Sequence, residues 1–154
     1  MRRKDREMKN MEDVLQIVKE EGVCRVVMKD EPYPYVVPMN YGAEIQGEKV
    51  TLYFHSAMEG RKIDLLKKDG HVAIEIDRKH ELVYDSEKGS CSMLYESVIG
   101  TGDVTFIEGE EKVAALRCIL KQHGRGEEFF LSEPLMNRTA CFKVEIKELT
   151  GKKH

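Results

Sequence analysis

No stretch of the 154-residue sequence approaches the ~20 apolar residues that a membrane-crossing helix needs. The N-terminus is charged and lacks the apolar core of a secretory leader, so the cytoplasm is the expected compartment. Cysteine is sparse and scattered. Cys24, Cys91, Cys118 and Cys141 form no Cys-x-x-Cys pair, which argues against a zinc site. They read as reduced thiols in or near a core, with Cys91 the more exposed one in the Gly89–Ser92 stretch. Charge of one sign is not in excess either. The formal net charge of −3 gives no field to draw nucleic acid or an anionic membrane. A dinucleotide fingerprint is missing, because Gly100-Thr101-Gly102 lacks a third glycine and a following helix. No histidine pair has metal-ligand spacing, and no Ser/His/Asp or Cys/His arrangement emerges.

What is present is one domain's length of chain, 41% hydrophobic and 34% charged, enough to bury a core in water. Arg2, Arg3, Lys4, Arg6 and Lys9 outnumber Asp5 and Glu7, so residues 1–10 are expected to form a flexible basic tail. Residues 11–154 are expected to form a single domain. Asn10 can cap a helix with Met11, Val14, Leu15 and Val18 at the helical period, ended by a left-handed Gly22. Val23 to Met28 is strand-like, and Lys29 to Pro34 is a turn. Tyr35 to Ile45 reads as a strand interrupted by Pro38 and Gly42, and Lys49 to His55 as its hairpin partner.

A short helix is expected over Gly60 to Lys68, stopped by Gly70, and a strand over His71 to Asp77. Arg78 to Ser90 is polar and reads as a loop. Cys91 to Ile107 reads as a strand pair, with a bulge at Gly100 and Gly102. Glu108 to His123 is the clearest helix, Arg125 to Arg138 reads as irregular, and Thr139 to Leu149 alternates as a last strand. His71 is expected to be half-buried at a strand start, and His80 and His123 to face solvent. Hairpin-length links and few helices predict an α+β fold, a mainly antiparallel barrel with flanking helices.

The segment with chemical content is Tyr53-Phe54-His55-Ser56-Ala57-Met58-Glu59-Gly60-Arg61-Lys62. A strand ends there and a helix begins with two cations in its first turn, where the helix dipole disfavours them. A bound anion would reverse that sign, gathering free N–H groups, guanidinium and ammonium on one phosphate, with His55 and Ser56 as further donors. The competing reading is a solvated helix start whose cations reach water or pair with Glu59 and Asp64. Spacing alone does not choose between them.

Three blocks in order carry a resemblance: Tyr35-Val36-Val37-Pro38-Met39-Asn40-Tyr41, the Leu52–Ala57 run with Gly60-Arg61-Lys62, and Tyr95-Glu96-Ser97-Val98-Ile99-Gly100. Over Asp13 to Lys152 the chain resembles the FMN-binding split barrels related to pyridoxamine 5'-phosphate oxidase, in their nitroimidazole-resistance branch. The resemblance implies a split β-barrel that binds FMN. Val37, Pro38, Met39 and Asn40 would run beside the isoalloxazine, and Phe54, His55, Ser56 and Ala57 would line ring and ribityl chain. Gly60, Arg61 and Lys62 would hold the phosphate. Tyr95, Glu96, Ser97 and Val98 would meet the flavin near a dimer interface, so a homodimer acting on a small-molecule substrate is implied.

No arginine follows Arg138, a departure from the substrate-gripping motif of the vitamin B6 oxidases. The implied activity is therefore a nitroreductase-like, flavin-dependent oxidoreductase. The alternatives are a non-catalytic flavin carrier or sensor, a haem-binding barrel using His55 or His71, and a barrel without a ligand.

Overall fold

The computed structural model describes residues 2–125 and 132–154. Helix α1 spans Met11–Glu20, and the Asn10 side chain caps it by accepting from the Glu12 N–H at 3.0 Å. The apolar period then buries Val14, Leu15, Ile17 and Val18. Gly22 does not take the expected left-handed role, since the helix closes on an extended Glu21. A side chain from far along the chain does the capping. The Gln122 amide donates to the carbonyls of Val18, Lys19 and Glu21 at 3.2, 2.9 and 2.5 Å. Gly22 is required for a different reason: a Cβ there would lie 2.5 Å from the His123 ring.

The strands are β1 Val23–Met28, β2 Tyr35–Asn40, β3 Gly42–Gln46, β4 Lys49–Ala57, β5 His71–Asp85, β6 Ser90–Ile107 and β7 Thr139–Lys153. Helices α2 Arg61–Lys68, α3 Gly109–Gln122 and α4 Glu133–Asn137 complete the order. The strands form one antiparallel sheet ordered β2-β1-β5-β6-β7-β4-β3. That order makes β2 and β3 the two edges, yet only Tyr41 separates Asn40 from Gly42. The sheet must therefore roll until its edges meet at this corner, which makes the α+β barrel that the sequence predicts, split elsewhere. Buried Tyr41 pins the corner, its N–H donating to Gly22 O at 3.0 Å and its hydroxyl to Val18 O at 2.9 Å. Pro38 is tolerated within β2 because an edge strand has one unneeded row of N–H groups.

The barrel is filled by Phe54, Phe142, Leu52, Val26, Ile74, Ile76 and Val98, with Phe54 and Phe142 stacked at 5.2 Å between centroids. A second, smaller cluster of Ile107, Ala115, Leu116 and Cys141 lies under α3. The bulge near Gly102 is present: Thr101 pairs with Glu148 and Gly102 with Ile146, leaving Lys147 unpaired.

Three expectations are corrected. The stretch from Arg78 is not a loop, because β5 continues to Asp85 and pairs with β6 from Ser90, forming a hairpin arm. At its base Lys79 and His80 oppose Tyr95 in a bulge, and Arg78 binds Glu20 and Glu96. The 91–107 region is one continuous strand rather than two. Nor is the described part of this segment a free tail: Lys4–Arg6 is a 3-10 turn, Glu7 bridges Lys152, and Met8 is buried with its N–H on Gly151 O at 3.0 Å. The final strand likewise runs past Leu149 to Lys153 to receive them. Part of the expected irregular stretch after Arg125 lies outside the described residues, and α4 occupies its later part. Among the described residues no helix is long and apolar enough to cross a membrane.

Candidate functional site

Strand β4 ends at Ala57, and the chain turns through Met58–Gly60 into α2. Gly60 has φ 121° and ψ 165°, a conformation open to glycine, and a Cβ placed on it would meet nothing within 4 Å. No side chain caps the helix, whose first backbone bond is Asp64 N–H to Gly60 O at 3.1 Å. The N–H groups before Asp64 therefore point at an open approach.

Two cations flank that approach, and they are held differently. Arg61 is anchored: Nε and Nη2 donate to Asp30 Oδ2 at 2.9 and 2.6 Å, and the guanidinium lies over the Tyr35 ring at 4.8 Å. This replaces the pairing with Glu59 or Asp64 considered from sequence. Arg61 in turn holds the Asp30 carboxyl below the usual carboxylate range. Lys62 is half-buried, and burial alone draws its ammonium below the ordinary lysine value. No carboxylate among the described residues pairs with it. Burial, the Lys62 charge and His123 lower the His55 pKa in that order, which favours the neutral imidazole. The Ser56 hydroxyl donates to Ala57 O at 2.8 Å.

The remaining residues proposed from sequence divide by strand parity. In β2, Pro38 and Asn40 face outward, whereas Met39 is buried and Val37 packs against the core. Phe54 and Val98 are fully buried, so their side chains serve the core and their backbones alone can face a ligand. His55 and Ala57 are exposed at the strand end. Tyr95, Glu96 and Ser97 lie on β6, three strands from β2 in the sheet order, or about 14 Å at ordinary strand spacing. A cavity of about 830 Å³ is lined by Tyr95 and Glu96 and includes no residue of the His55–Lys62 segment. The chain thus brings together the Tyr35, Asp30, His55 and Arg61–Lys62 group, while the Tyr95–Val98 block lies on another strand, β6.

Sequence reasoning missed Asp30, which lies 31 residues before Arg61 with no spacing signal to connect them. His123 is exposed, as expected, and its ring lies against Gly22. His71 is not half-buried: its side chain is 84% exposed and Asp69 raises its pKa. His80 stands in β5 rather than a loop.

The arrangement suits holding an anion and not nucleophilic attack. Burial pushes the Cys24 thiol up to about 12 and the Cys141 thiol up to about 11, keeping both protonated. Among the described residues no three His, Cys, Asp or Glu side chains cluster as metal ligands. What the α2 start offers is a set of N–H groups, an unpaired ammonium, a fixed guanidinium and clear space at Gly60, a donor set that fits a phosphate monoester.

A family model described as pyridoxamine 5'-phosphate oxidase matches residues 10–153. Among solved structures, a protein from Bacteroides thetaiotaomicron, provisionally described as a 5-nitroimidazole antibiotic resistance protein, is 36% identical. That match covers 96% of this chain and 86% of the other, with a TM-score of 0.84. A flavocytochrome from Azotobacter vinelandii is 20% identical with a TM-score of 0.81, covering 100% of this chain and 72% of that one. A FAD-binding protein from Mesorhizobium loti is 19% identical with a TM-score of 0.66, covering 94% and 95%. The last two likenesses establish the fold alone. No curated protein matches the sequence significantly.

Proposed function

The chain belongs to the pyridoxamine 5'-phosphate oxidase family, and from that premise we propose that it binds FMN and acts as a flavin-dependent, nitroreductase-like oxidoreductase. The observation that carries the reading is Lys62, a half-buried ammonium without an acidic partner among the described residues, at an uncapped helix start. Burying an unpaired charge is unfavourable, and a phosphate at the N-terminus of α2 removes that cost. Lys62 and the first N–H groups of α2 would hold the phosphate, and Arg61, oriented by Asp30 and Tyr35, would approach it from the side. His55 and Ala57, exposed where β4 ends, would border the ribityl chain.

When bound, the flavin supplies the electron or hydride transfer that none of these side chains can perform. The chain's part is to orient the group, to balance its charge and to shield it from water. Pro38 and Asn40, outward on β2, would meet the ring's polar edge through main-chain groups.

A homodimer completes the proposal. Tyr95–Val98 lies on β6, two strands from β4 in the sheet order, and in this reading a second copy would bring it to the flavin held at α2. The surface supports this: Val23, Val36 and Ile99 are exposed on the outer sheet face at 42%, 51% and 55%. The substrate would be a small molecule such as a nitroaromatic, met in the cytoplasm, with no role for nucleic acid or membrane. The relative described in terms of 5-nitroimidazole resistance lends weight to that substrate class.

The test is anaerobic turnover. FMN-loaded protein, given a nicotinamide or ferredoxin-type donor, is expected to reduce a 5-nitroimidazole over many cycles. Loaded protein that photoreduces but shows no catalysed exchange would instead be a flavin carrier.

A further inference from the structure

We propose that the cavity between the N-terminal segment, the base of the β5–β6 arm and the end of β7 binds a small anion with two or more negative charges. A phosphate ester and a polycarboxylate share the required chemistry. The cavity encloses about 830 Å³, and its walls include Arg3, Arg6, Lys79, Tyr95, Lys153 and His154. No residue of the α2 start lines this space, while Tyr95 and Glu96 on its wall also belong to the block proposed to meet the flavin of a second copy.

Arg6 is the central observation. Its Nε is shielded from solvent and makes no hydrogen bond among the described residues. An unmet buried donor is unfavourable, and buried polar groups are nearly always satisfied. Its Nη2 meets His154 Nε2 at 2.8 Å. Guanidinium has donors only, so in this contact the imidazole nitrogen accepts. Arg6 therefore presents an incompletely used planar fork, the geometry that grips phosphate or carboxylate through two bonds.

The carboxylates nearby do not fill that need. Asp5 is gripped by Arg3 at 2.8 and 2.5 Å, and Glu96 by Arg78 at 2.7 Å and Lys79 at 3.0 Å. Glu81, exposed on the arm, is the remaining side-chain carboxylate on the walls. Lys153 is 4.0 Å from its nearest carboxylate, Asp13. Lys152 adds positive field beside the cavity, with Nζ 5.4 Å from the Tyr95 ring centroid. Lys152 and Arg6 both draw the Tyr95 hydroxyl below the ordinary phenol range, which makes it a stronger donor to an anion.

The site is built by the fold and not by chance proximity of side chains. The Glu7–Lys152 bridge and buried Met8 clamp the N-terminal segment to β7, which fixes Arg6. On the opposite wall, the two-against-one bulge of Lys79 and His80 opposite Tyr95 re-aims the arm and opens the space.

The test is isothermal titration of pyrophosphate, and separately of citrate, into FMN-loaded protein. Saturable binding near one anion per chain is expected, weakened tenfold or more in Arg6→Gln and in Lys153→Gln. Tighter pyrophosphate binding would assign a phosphate ester, and tighter citrate binding a polycarboxylate. If Arg6→Gln lowers the melting temperature by releasing the N-terminal segment, Lys153→Gln decides the matter. The absence of saturable binding would overturn the proposal, as would binding unchanged in both variants. Binding that FMN displaces and that Lys62→Met abolishes would place the anion at α2, and would also overturn it. Should the chain take up no FMN at all, the same titration on the purified protein still tests this site.

Discussion

Arg61 reaches back to Asp30 through two hydrogen bonds to one carboxylate oxygen, at 2.9 and 2.6 Å, and lies over the Tyr35 ring. The guanidinium beside a helix start is therefore oriented before any ligand arrives, while Asp30 offsets its charge. Asp30→Asn keeps an oxygen to orient Arg61 and removes the negative charge. FMN is expected to bind about two- to fivefold tighter in this variant, as one nearby charge at a solvated site would give. Fluorescence titration of flavin checks it, and weaker binding would mean that Asp30 acts chiefly by positioning.

Lys62 differs because nothing acidic among the described residues compensates it. Lys62→Met keeps the length of the side chain and removes the charge. The ligand-free protein is expected to melt at the same temperature or higher, since an unpaired, half-buried ammonium is gone. FMN affinity should fall about ten- to hundredfold, the equivalent of ~1.5–3 kcal/mol for one charge-assisted hydrogen bond. Opposite shifts of stability and affinity in calorimetry and titration would separate a binding role from a structural one.

His55 gives a pH dependence of defined sign. Its folded pKa lies below the unfolded value of 6.5, so its stabilisation is full above 6.5 and is lost as pH falls through the folded value. His71, raised by Asp69, acts the other way: its stabilisation is present below 6.5 and lost as pH rises through the raised value. The difference between wild type and His55→Gln isolates the first. Denaturant midpoints are expected to fall more steeply below pH 6.5 in the wild type than in the variant.

Two glycines should respond unequally to alanine. A Cβ on Gly42 would lie 2.5 Å from backbone atoms of Cys118 and Ile119, so β3 and α3 would have to separate. Overpacking of this kind costs about 1–3 kcal/mol or more. At Gly47 the space is open and only the φ of 62° resists, a cost of about 1–2 kcal/mol. Urea unfolding of the pair should therefore show Gly42→Ala the more damaged.

Local elements were readable because their signals are local. Asn10 with the period of Val14, Leu15 and Val18 gives α1, and the alternation of Ala140, Phe142 and Val144 gives β7. The arm was hidden because both of its faces are wet. Leu82, Tyr84 and Met93 are exposed among charges, so no buried face imposes an alternating pattern beyond Asp77. Gly22 was misread because the ring it accommodates, His123, is a hundred residues away, as is the Gln122 that caps α1. The same limit applies to the site. His55, Arg61 and Lys62 were legible from one strand-to-helix junction, whereas Asp30 reaches it only through the fold. Phe54 and Val98 were drawn into the candidate site by block membership, and strand parity turned them into the core.

The most direct test of the central claim is the absorbance spectrum of the purified protein, with the chromophore identified by mass after denaturation. The account predicts the two bands of oxidised flavin, released as FMN and lost in Lys62→Met. A colourless protein that takes up no added FMN, or one that keeps its flavin in that variant, would contradict the assignment of the α2 start as the phosphate site.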